Sequence, residues 1–542
     1  MVEKHTIRIE SILGGHSPTT HFARPDQFRT SLGINPAFPI DDDGESDPNA
    51  IFASGLLRPV AVSDFASSVV AAAPMWITPN PKNDRIYVFD SQGSVYSVGA
   101  AMRDPTGLGD LNDGQTARGD GAAYYDNYIY FACSTTIARY GPLDGTPAFT
   151  DDYWVTTLSK TRLTDNTLYP SDKLNGVDYP RHVLHRHSDG KLYIADVVDN
   201  KGTIHYIATT KTTVEGDTDN GSTYNKVQVG YGLWPTAMES YGSDLVVAFC
   251  EGTNNGTTSS DIIKSRAKLA FWDTTSTNVN KIIWVEFPDQ LITALKNING
   301  VLYAVSGNLG SYGFRISRFV GGYTFEDIYY SEDGQPPFPG AIDGTGDRVL
   351  FGTLINSPES SGGVMSWGLQ KSTLGRGIFN VIRSTGNSAG QVNITSLALV
   401  QSSDLGNSTP VIGWTTGSNG VGNNGLDTST GGSYNSAPSV WWSQMYRIGQ
   451  PFKITKIRIP LAQAIAVNMT VIPKIYTDDG NGTTYTLTTI NNTNYPNSER
   501  NIVYRLENVT AQHNFWLELR WTGSALCTVG LPITIEYELI DD

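Results

Sequence analysis

The sequence predicts an all-β protein: a six- or seven-bladed β-propeller with an extended N-terminal arm and a C-terminal antiparallel β-sandwich, jelly-roll-like in type. Three observations lead to this prediction. A short apolar motif returns along the middle of the chain, and the segments between its copies are rich in Gly, Thr, Asn and Tyr, which suit strands and turns. After residue 443 or so, apolar and polar residues alternate. We therefore divide the chain into residues 1–70 (arm), 71–440 (propeller) and 441–542 (sandwich).

The repeated motif is a short apolar strand that is usually opened by Asp, Asn or Gly, the residues a tight turn favours. Its copies are DRIYVF at 84, NYIYFA at 127, GKLYIA at 190, SDLVVA at 243, GVLYAV at 300, DRVLFG at 347 and, more weakly, PVIGW at 410. Several copies are preceded by another apolar strand, such as PTAMES or LITALK, and followed by a third, such as GTIHYI or FRISRF. Spacings of about 43 to about 63 residues match the period of propeller blades with variable loops.

The two flanking regions differ from the repeats and from each other. Residues 1–70 contain PDQF, INPAFPIDDDGESDP and LLRPV, where proline and acidic turns interrupt any periodicity, so we expect an extended arm that lies along another surface. The last region contains alternating stretches such as FKITKIRIPL, MTVIPKIYTDD and NIVYRLENV. Such alternation indicates strands with one buried face, as in an antiparallel sandwich.

Composition and charge exclude several classes of function. The 542 residues carry a formal net charge of −15, so specific nucleic-acid binding is not expected from an acidic chain without a basic stripe. No apolar run approaches the roughly 20 residues that a membrane-spanning helix needs, and membrane insertion is not expected. Cys133, Cys250 and Cys527 are few and far apart, which favours buried free thiols, and the charged N-terminus does not resemble a secretory signal.

The main candidate site is a histidine-rich window, HRHSDGKLYIADVVDNKGTIHYI, at residues 185–207. His185 and His187 are two residues apart on a predicted strand and share a face, a spacing that a metal ion can use, while Asp189 lies in the following turn and His205 two strands away. One blade supplies two or three ligands at most. We therefore expect these imidazoles to hydrogen-bond to neighbours on the channel-facing or blade-packing side, with metal binding or a protonation-sensitive subunit contact as alternatives.

Other motifs indicate no catalytic centre or cofactor. GNSAG at 386–390 matches a nucleophile-elbow pattern, but it lacks the strand-to-helix context that the pattern needs. DDDGESD at 41–47 and DTDNGS at 217–222 resemble fragments of calcium loops, yet position 12 counted from Asp217 is Gln228 instead of Glu. We expect a protein without catalytic residues and without a cofactor.

Trp441, Trp442 and Tyr446 lie where the propeller gives way to the sandwich. Aromatic side chains at such a place can stack on sugar rings or anchor a partner protein. Packing at the interface between the two domains is the alternative interpretation of the same three residues.

A set of strings resembles structural, tail-associated proteins of tailed bacteriophages, largely uncultured ones. The strings are ILGGHSPTTHF, RTSLGINPAFPID, LLRPVAVSDF, APMWITPNPKNDRIYVFD, GAAYYDNYIYF and YGPLDGTP near the N-terminus, with WPTAMESYGSDL, FWDTTST, RISRFVGGYT and GDRVLFG further on. The resemblance is weakest after residue 440. It implies a virion component, assembled in the host cytoplasm, and it assigns no active-site residue.

These observations together lead to one expected function and two alternatives. We expect a non-enzymatic virion protein of the tail or adsorption apparatus, which contacts other copies of itself and other virion proteins and acts as an oligomer. The first alternative is an adhesin that binds a host receptor or glycan through the C-terminal sandwich. The second is a propeller hydrolase or lyase, which requires acids, Arg or His clustered in the central channel.

Overall fold

The computed structural model describes most of the 542 residues. The described residues are 4–12, 15–16, 27–32, 34, 57, 59–60, 62–65, 69–82, 85–99, 106–110, 121–132, 136–155, 183–198, 201–207, 226–254, 260–262, 266–276, 279–308, 313–331, 336–345, 348–353, 363–369, 376–388, 392–401, 408–416, 423–433, 438–478, 482–495 and 499–540. Within these residues the structure is all-β, with two short 3₁₀ turns at Val279–Lys281 and Thr385–Ser388. No described helix is long and apolar enough to cross a membrane.

The first four strands precede the repeats. They are β1 (Lys4–Ile9), β2 (Gly15–His16), β3 (Gln27–Leu32) and β4 (Val62–Asp64).

The described residues between 74 and 433 form seven sheets, which we number 1 to 7 in chain order. Their strands are: sheet 1, β5 (Pro74–Pro79), β6 (Ile86–Asp90), β7 (Ser94–Val98), β8 (Thr106–Asp110); sheet 2, β9 (Ala122–Tyr125), β10 (Tyr128–Ala132), β11 (Thr136–Gly141), β12 (Ala148–Val155); sheet 3, β13 (Val183–Arg186), β14 (Leu192–Val198), β15 (Lys201–Ile207), β16 (Lys226–Tyr231); sheet 4, β17 (Leu233–Tyr241), β18 (Asp244–Asn254), β19 (Ser260–Ile262), β20 (Lys268–Trp272), β21 (Ile283–Glu286); sheet 5, β22 (Leu291–Ile298), β23 (Val301–Gly307), β24 (Phe314–Gly321), β25 (Thr324–Ser331); sheet 6, β26 (Ile342–Thr345), β27 (Arg348–Gly352), β28 (Gly363–Leu369), β29 (Arg376–Arg383); sheet 7, β30 (Asn393–Gln401), β31 (Ser408–Thr415), β32 (Asn424–Ser433).

Each of the seven is antiparallel and four strands wide, except that β19 adds a short fifth strand to sheet 4. The first strand of each sheet contacts the first strand of the next, and β30 of sheet 7 contacts β5 of sheet 1, so the first strands form a closed circle. The fourth strand of sheet 7 is β4, which comes from before sheet 1 in the chain. This arrangement is consistent with a β-propeller, and the strands fall where the repeated motif predicts them.

The burial of the strands explains the apolar runs of the motif. All five residues of β6 are buried, because both faces of the sheet are covered by neighbouring sheets.

The hairpins between first and second strands also follow the sequence. Asn299 and Gly300 both have positive φ in the two-residue turn between β22 and β23, a conformation that Asn and Gly adopt at low cost.

The C-terminal strands build two further sheets. They are β33 (Ser439–Ser443), β34 (Tyr446–Arg447), β35 (Phe452–Pro460), β36 (Met469–Thr477), β37 (Thr484–Thr486), β38 (Ile490–Asn491), β39 (Asn501–Ala511), β40 (Asn514–Gly523) and β41 (Ile533–Leu539). Sheet A has the order β1-β41-β35-β39, and sheet B has β2-β3-β33-β40-β36-β37 with β34 and β38 at its sides.

Sheets A and B share one apolar core. Residues of β36 alternate regularly between buried and half-buried, as the sequence pattern predicts for a strand with one covered face. The ring of Phe452 on sheet A lies 5.5 Å from that of Phe515 on sheet B. Both belong to an apolar cluster that spans the two sheets.

The described strands of residues 1–70 pair with the chain's own sheets. Strand β1 pairs with β41 along its whole length, β3 pairs with β33, and β4 pairs with β32. The sequence suggested an arm on another surface; for these strands that surface is sheet A, sheet B and sheet 7 of the same chain. The reason is that β-strand edges there offer free N–H and C=O groups, which the N-terminal strands satisfy.

Candidate functional site

The centre of the ring contains a cavity of about 390 Å³. Its wall includes residues from the first strands of all seven sheets. A cavity of this size falls in the range of sites for small ligands, roughly 300–1,000 Å³. It is therefore a candidate site in the described part of the chain.

Four ionisable side chains line this cavity in one row, which we call the ionisable row: His185, Glu239, Lys296 and Asp343. They belong to sheets 3, 4, 5 and 6 in that order. Each lies opposite the fourth residue of its motif copy, namely Tyr193, Val246, Tyr303 and Leu350. The row is thus one structural position repeated on four consecutive sheets.

Basic and acidic side chains alternate along the row. His185 Nε2 lies 3.4 Å from Glu239 Oε1, and Lys296 Nζ lies 3.2 Å from Asp343 Oδ1. Glu239 Oε1 also accepts a hydrogen bond from the Ser240 N–H (2.8 Å), and Asp343 Oδ2 accepts one from Leu399 N–H on sheet 7 (2.8 Å). The row therefore links sheet 3 to sheet 4, sheet 5 to sheet 6 and sheet 6 to sheet 7 across their first strands.

Burial and charge act in opposite directions on the pKa values of the row. Burial lowers the pKa of His185, although Glu239 partly offsets this effect, so the imidazole is neutral at pH 7. Burial also works against the Lys296 ammonium, but Asp343 and Glu239 outweigh it and raise the pKa of Lys296. Lys296 is consequently a cation held between two carboxylates.

The histidine window forms a polar seam between sheets 3 and 4. His185 Nε2 and His187 Nδ1 lie 2.8 and 2.9 Å from the same atom, Ser240 Oγ. His187 Nε2 lies 3.2 Å from the Ser243 carbonyl, and Ser188 donates to the Gly242 carbonyl (3.1 Å). His185 and His187 therefore meet at one hydroxyl on the neighbouring sheet.

The partners of His187 fix the direction of these hydrogen bonds. A carbonyl only accepts, so His187 Nε2 carries the proton and, in a neutral ring, Nδ1 accepts from the Ser240 hydroxyl. Ser240 Oγ in turn accepts from His185 Nε2–H. The Ser240 hydroxyl thus donates to His187 Nδ1 while its oxygen accepts from His185, so this one side chain joins the two imidazoles.

Asp189 and His205 are placed apart from this meeting point. Asp189 lies in the β13–β14 turn and accepts from Tyr193 Oη (2.7 Å) and Lys191 N–H (3.0 Å). His205 is buried on β15, opposite Ile194. Among the described residues, no three His, Cys, Asp or Glu side chains are grouped as a metal ion requires.

The remaining sequence motifs and the cysteines lie in separate parts of the chain. Both calcium-loop fragments and Cys133 lie outside the described residues. Cys250 and Cys527 are buried free thiols. The first residues of GNSAG lie in the 3₁₀ turn Thr385–Ser388, where Thr385 N–H and hydroxyl bind the Asp427 carboxylate of β32.

The aromatic candidates near residue 441 are built into sheet B. Trp441 is 1% exposed and packs in the core of the two C-terminal sheets. Trp442 is half-buried and donates from Nε1 to Glu518 Oε2 (3.0 Å). Tyr446 packs on Phe515 with ring centres 5.3 Å apart, and burial raises its pKa. The burial of Trp441 agrees with the packing alternative, and a partner or glycan contact at these three residues stays a prediction.

Sequence reasoning singled out His185 but missed Glu239, Lys296 and Asp343. The signal was present: in PTAMES and LITALK, as in AIDG, an ionisable residue stands seven positions before the fourth residue of the motif. When the repeats are aligned at this position, consecutive sheets carry an acid, a base and an acid: Glu239, Lys296 and Asp343. A search for metal or catalytic motifs looks for residue types close together in sequence and does not compare one aligned position between repeats.

Comparisons with known proteins add little to this geometry. No protein-family model and no curated protein matches the chain. Solved structures that match include the computationally designed Ika8 protein (12% identity, TM-score 0.37, 68% of this chain and 99% of that one). The Pan2 WD40 domain of Neurospora crassa (8%, 0.39, 68% and 94%) and a catalytically inactive virginiamycin B lyase from Staphylococcus aureus with quinupristin (12%, 0.41, 68% and 98%) are similar at the same level. Likenesses this distant carry no conclusion about function.

Proposed function

We propose that this chain is a non-enzymatic structural component of a tailed-bacteriophage particle, in the tail or adsorption apparatus, that acts through contacts between subunits. The proposal starts from the resemblance of the repeat strings to such proteins. The structural observation that supports it is the pairing of the N-terminal strands: β1 and β3 extend the two C-terminal sheets, while β4 completes sheet 7.

This pairing has a mechanical consequence. A segment that pairs with both regions connects them through backbone hydrogen bonds in addition to the linker near residue 438, where Arg383 donates to the Pro438 carbonyl (2.6 Å). Strands β2 and β3 also contact β29 of sheet 6. Separating the regions requires breaking strand pairs, so the chain suits a role in which a fixed shape transmits force or sets spacing.

The finer architecture is part of the same proposal. We infer that sheets 1 to 7 are the blades of one seven-bladed propeller, closed by β4, and that sheets A and B form a jelly-roll-like sandwich. The strand order and the closed circle of first strands support the first inference. The shared apolar core supports the second.

The outer edges of sheets 4 and 5 offer a surface for subunit contacts. Edge strand β25 and the hairpin before it expose Tyr330 (54%), Val320 (52%) and Tyr323 (44%). Edge strand β21 exposes Trp284. Apolar side chains on a strand edge favour association with another chain.

Mass photometry and negative-stain imaging of the full-length protein test this proposal. We expect a discrete symmetric oligomer that Val320→Ser with Tyr330→Ser dissociates. Val467→Ser is the matched control, because Val467 is 65% exposed but lies in a C-terminal turn. An oligomer that both variants leave unchanged would reject this surface, and a protein that stays monomeric at all concentrations would count against the proposal itself.

A further inference from the structure

The outer face of sheet A, on the side opposite the shared apolar core, carries an excess of positive charge. The strand register places its side chains in three rows across β1, β41, β35 and β39. Six side chains in these rows are basic and two, Glu536 and Glu538, are acidic, although the whole chain has a net charge of −15. We call this surface the basic face, and its basic residues are Lys4, Arg8, Lys453, Lys456, Arg458 and Arg505.

The two carboxylates neutralise one half of the basic face. Glu538 lies between Lys4 and Lys453 in the first row, with Oε1 3.6 Å from Lys4 Nζ. Glu536 lies beside Lys456 in the second row and accepts a hydrogen bond from its Nζ (2.7 Å). The excess of positive charge is therefore concentrated in the other half.

That other half contains three exposed arginines. Arg8 and Arg458 flank Thr534 in the third row, which contains no carboxylate, and Arg8 is 58% exposed. Arg505 lies on the next strand, diagonal to Arg458, and both are exposed. Two strand spacings put Arg8 about 10 Å from Arg458, and a diagonal pair is about 7–8 Å apart. The surface thus presents three accessible guanidinium groups at regular intervals.

Carboxylates at the margin of the basic face leave this excess in place. Glu10 lies 3.4 Å from Arg8, but both side chains are well exposed, so water screens their attraction. Glu507 is exposed on β39. Arg458 donates to the amide oxygen of Asn501 (2.9 Å), which carries no charge. Even with both marginal carboxylates counted, the basic residues outnumber the acidic ones.

The chemistry and spacing of these groups favour one class of anion. Guanidinium groups bind carboxylates through paired hydrogen bonds. Intervals of about 7–10 Å suit a polymer with sparse charge better than duplex DNA, which carries one charge per about 1.7 Å of its axis. A densely charged polymer would also be repelled by residues 71–440, which contain 25 Lys and Arg against 35 Asp and Glu. Thr6 and Thr534 place hydroxyl groups among the cations, where sugar hydroxyls can bind.

We propose that the basic face binds an acidic polysaccharide in which carboxylate-bearing sugars alternate with neutral ones. Its carboxylates bind Arg8, Arg458 and Arg505, and its neutral sugars lie over Thr534 and over Val503, which is 42% exposed. This inference rests on the proposed function, because a component of the adsorption apparatus meets the polymers of a cell surface. The two can fail separately, since the purified protein binds or does not bind a polymer whatever its place in a particle.

Biolayer interferometry of the full-length protein on immobilised hyaluronate, in which glucuronate alternates with N-acetylglucosamine, tests the proposal. We expect saturable binding to hyaluronate, no binding to neutral dextran, and at least about tenfold weaker binding when NaCl is raised from about 0.05 M to about 0.5 M. No binding to hyaluronate would overturn the proposal. Tighter binding to poly-glutamate or to single-stranded oligothymidylate would also overturn it, in favour of an acidic protein or a nucleic acid. These polymers are compared on the unaltered protein.

Variants then locate the binding surface. Arg458→Gln with Arg505→Gln should weaken the binding of hyaluronate at least about tenfold. Arg266→Gln with Lys281→Gln is the matched control, because it removes two exposed cations from the region of sheet 4 and changes the net charge equally. All four positions are exposed, so thermal unfolding should be nearly unchanged in both variants. Equal losses of affinity in the two variants would show an effect of net charge alone and would contradict the assignment to sheet A.

Discussion

The two halves of the central wall differ in how they join neighbouring sheets. On sheets 3 to 6 the position opposite the fourth motif residue carries the ionisable row, whereas the same position carries Thr78 on sheet 1 and Ala123 on sheet 2. Where the ring closes, Thr395 and Ser396 of sheet 7 both donate to the Pro74 carbonyl of sheet 1 (2.6 Å each). In one half ionisable side chains add to the hydrogen bonds between sheets, whereas the ring closes through hydroxyl groups that donate to backbone.

This difference follows the order of the chain. Sheets 3 to 6 are consecutive, so a short connection already holds each beside the next. Thr395 and Pro74 are 321 residues apart in sequence, and their junction must be specified by directional contacts instead. Asp427 on β32 adds to this specification, since it accepts from Ser384 Oγ, Thr385 and Trp414 Nε1 beside the closing strand β4.

Removing the Asp427 carboxylate should have the largest effect on stability. Asp427→Ala leaves several buried donors without an acceptor, and we expect the free energy of unfolding to fall by about 3 kcal/mol or more. Chemical denaturation followed by tryptophan fluorescence measures this. Asp273→Ala, which removes an exposed turn acceptor, is the control and should change little. Equal losses in both variants would show that Asp427 has no special part in ring closure.

Removing the cation of the ionisable row should have a smaller effect. Lys296→Met leaves Glu239 and Asp343 without their shared partner, and we expect a loss of about 1–2 kcal/mol, below the value for a fully buried pair because solvent reaches Lys296. Lys296→Met combined with Asp343→Leu should restore part of that loss. Strictly additive losses in this double-mutant cycle would show that the two side chains do not interact.

The stability of the seam between sheets 3 and 4 should depend on the hydroxyl of Ser240, which both histidines bind. Ser240→Ala removes the atom that both His185 and His187 bind, and we expect a loss of about 1 kcal/mol in the free energy of unfolding. Ser243→Ala is a matched control, because His187 binds the Ser243 carbonyl and not its side chain. The comparison fails if Ser243→Ala is as destabilising as Ser240→Ala.

Stability should also depend on pH through Asp427. Burial raises its pKa to about 7 despite the hydrogen bonds from Thr385 and Ser384, so the folded state binds a proton that the unfolded state has released. Stability from this group is therefore present at low pH and is lost as pH rises through about 7. Between pH 6 and pH 8 the expected decrease is about 1 kcal/mol. Denaturation at both values should show it in the unaltered protein, and Asp427→Asn should abolish it.

The sequence predicted the strands well but not the residues at the site. The motif from DRIYVF to DRVLFG located the second strands, since burial on both faces demands an apolar run. Trp441 shows the limit of such reasoning: whether an aromatic residue on a strand faces the core or solvent depends on register, which pairing with β3 and β40 decides. Predicting the ionisable row would have required the knowledge that four sheets place the same strand position at one cavity.

The N-terminal strands illustrate the same limit. Their sequence does not reveal their positions, because β1, β3 and β4 each pair with a different sheet. Nothing local identifies those partners, which lie hundreds of residues away. A consequence is that deleting residues 1–70 would remove the closing strand of sheet 7, so that deletion cannot serve as a clean test of subunit assembly.

The central claim is that this rigidly connected chain is a part of a phage particle. Immunogold electron microscopy with antibodies against the purified protein, applied to intact particles of the phage that encodes it, tests this claim directly. We predict labels at a defined position on the tail, and this position should be the same on every particle. Particles without label, together with soluble protein left in the cleared lysate, would contradict it.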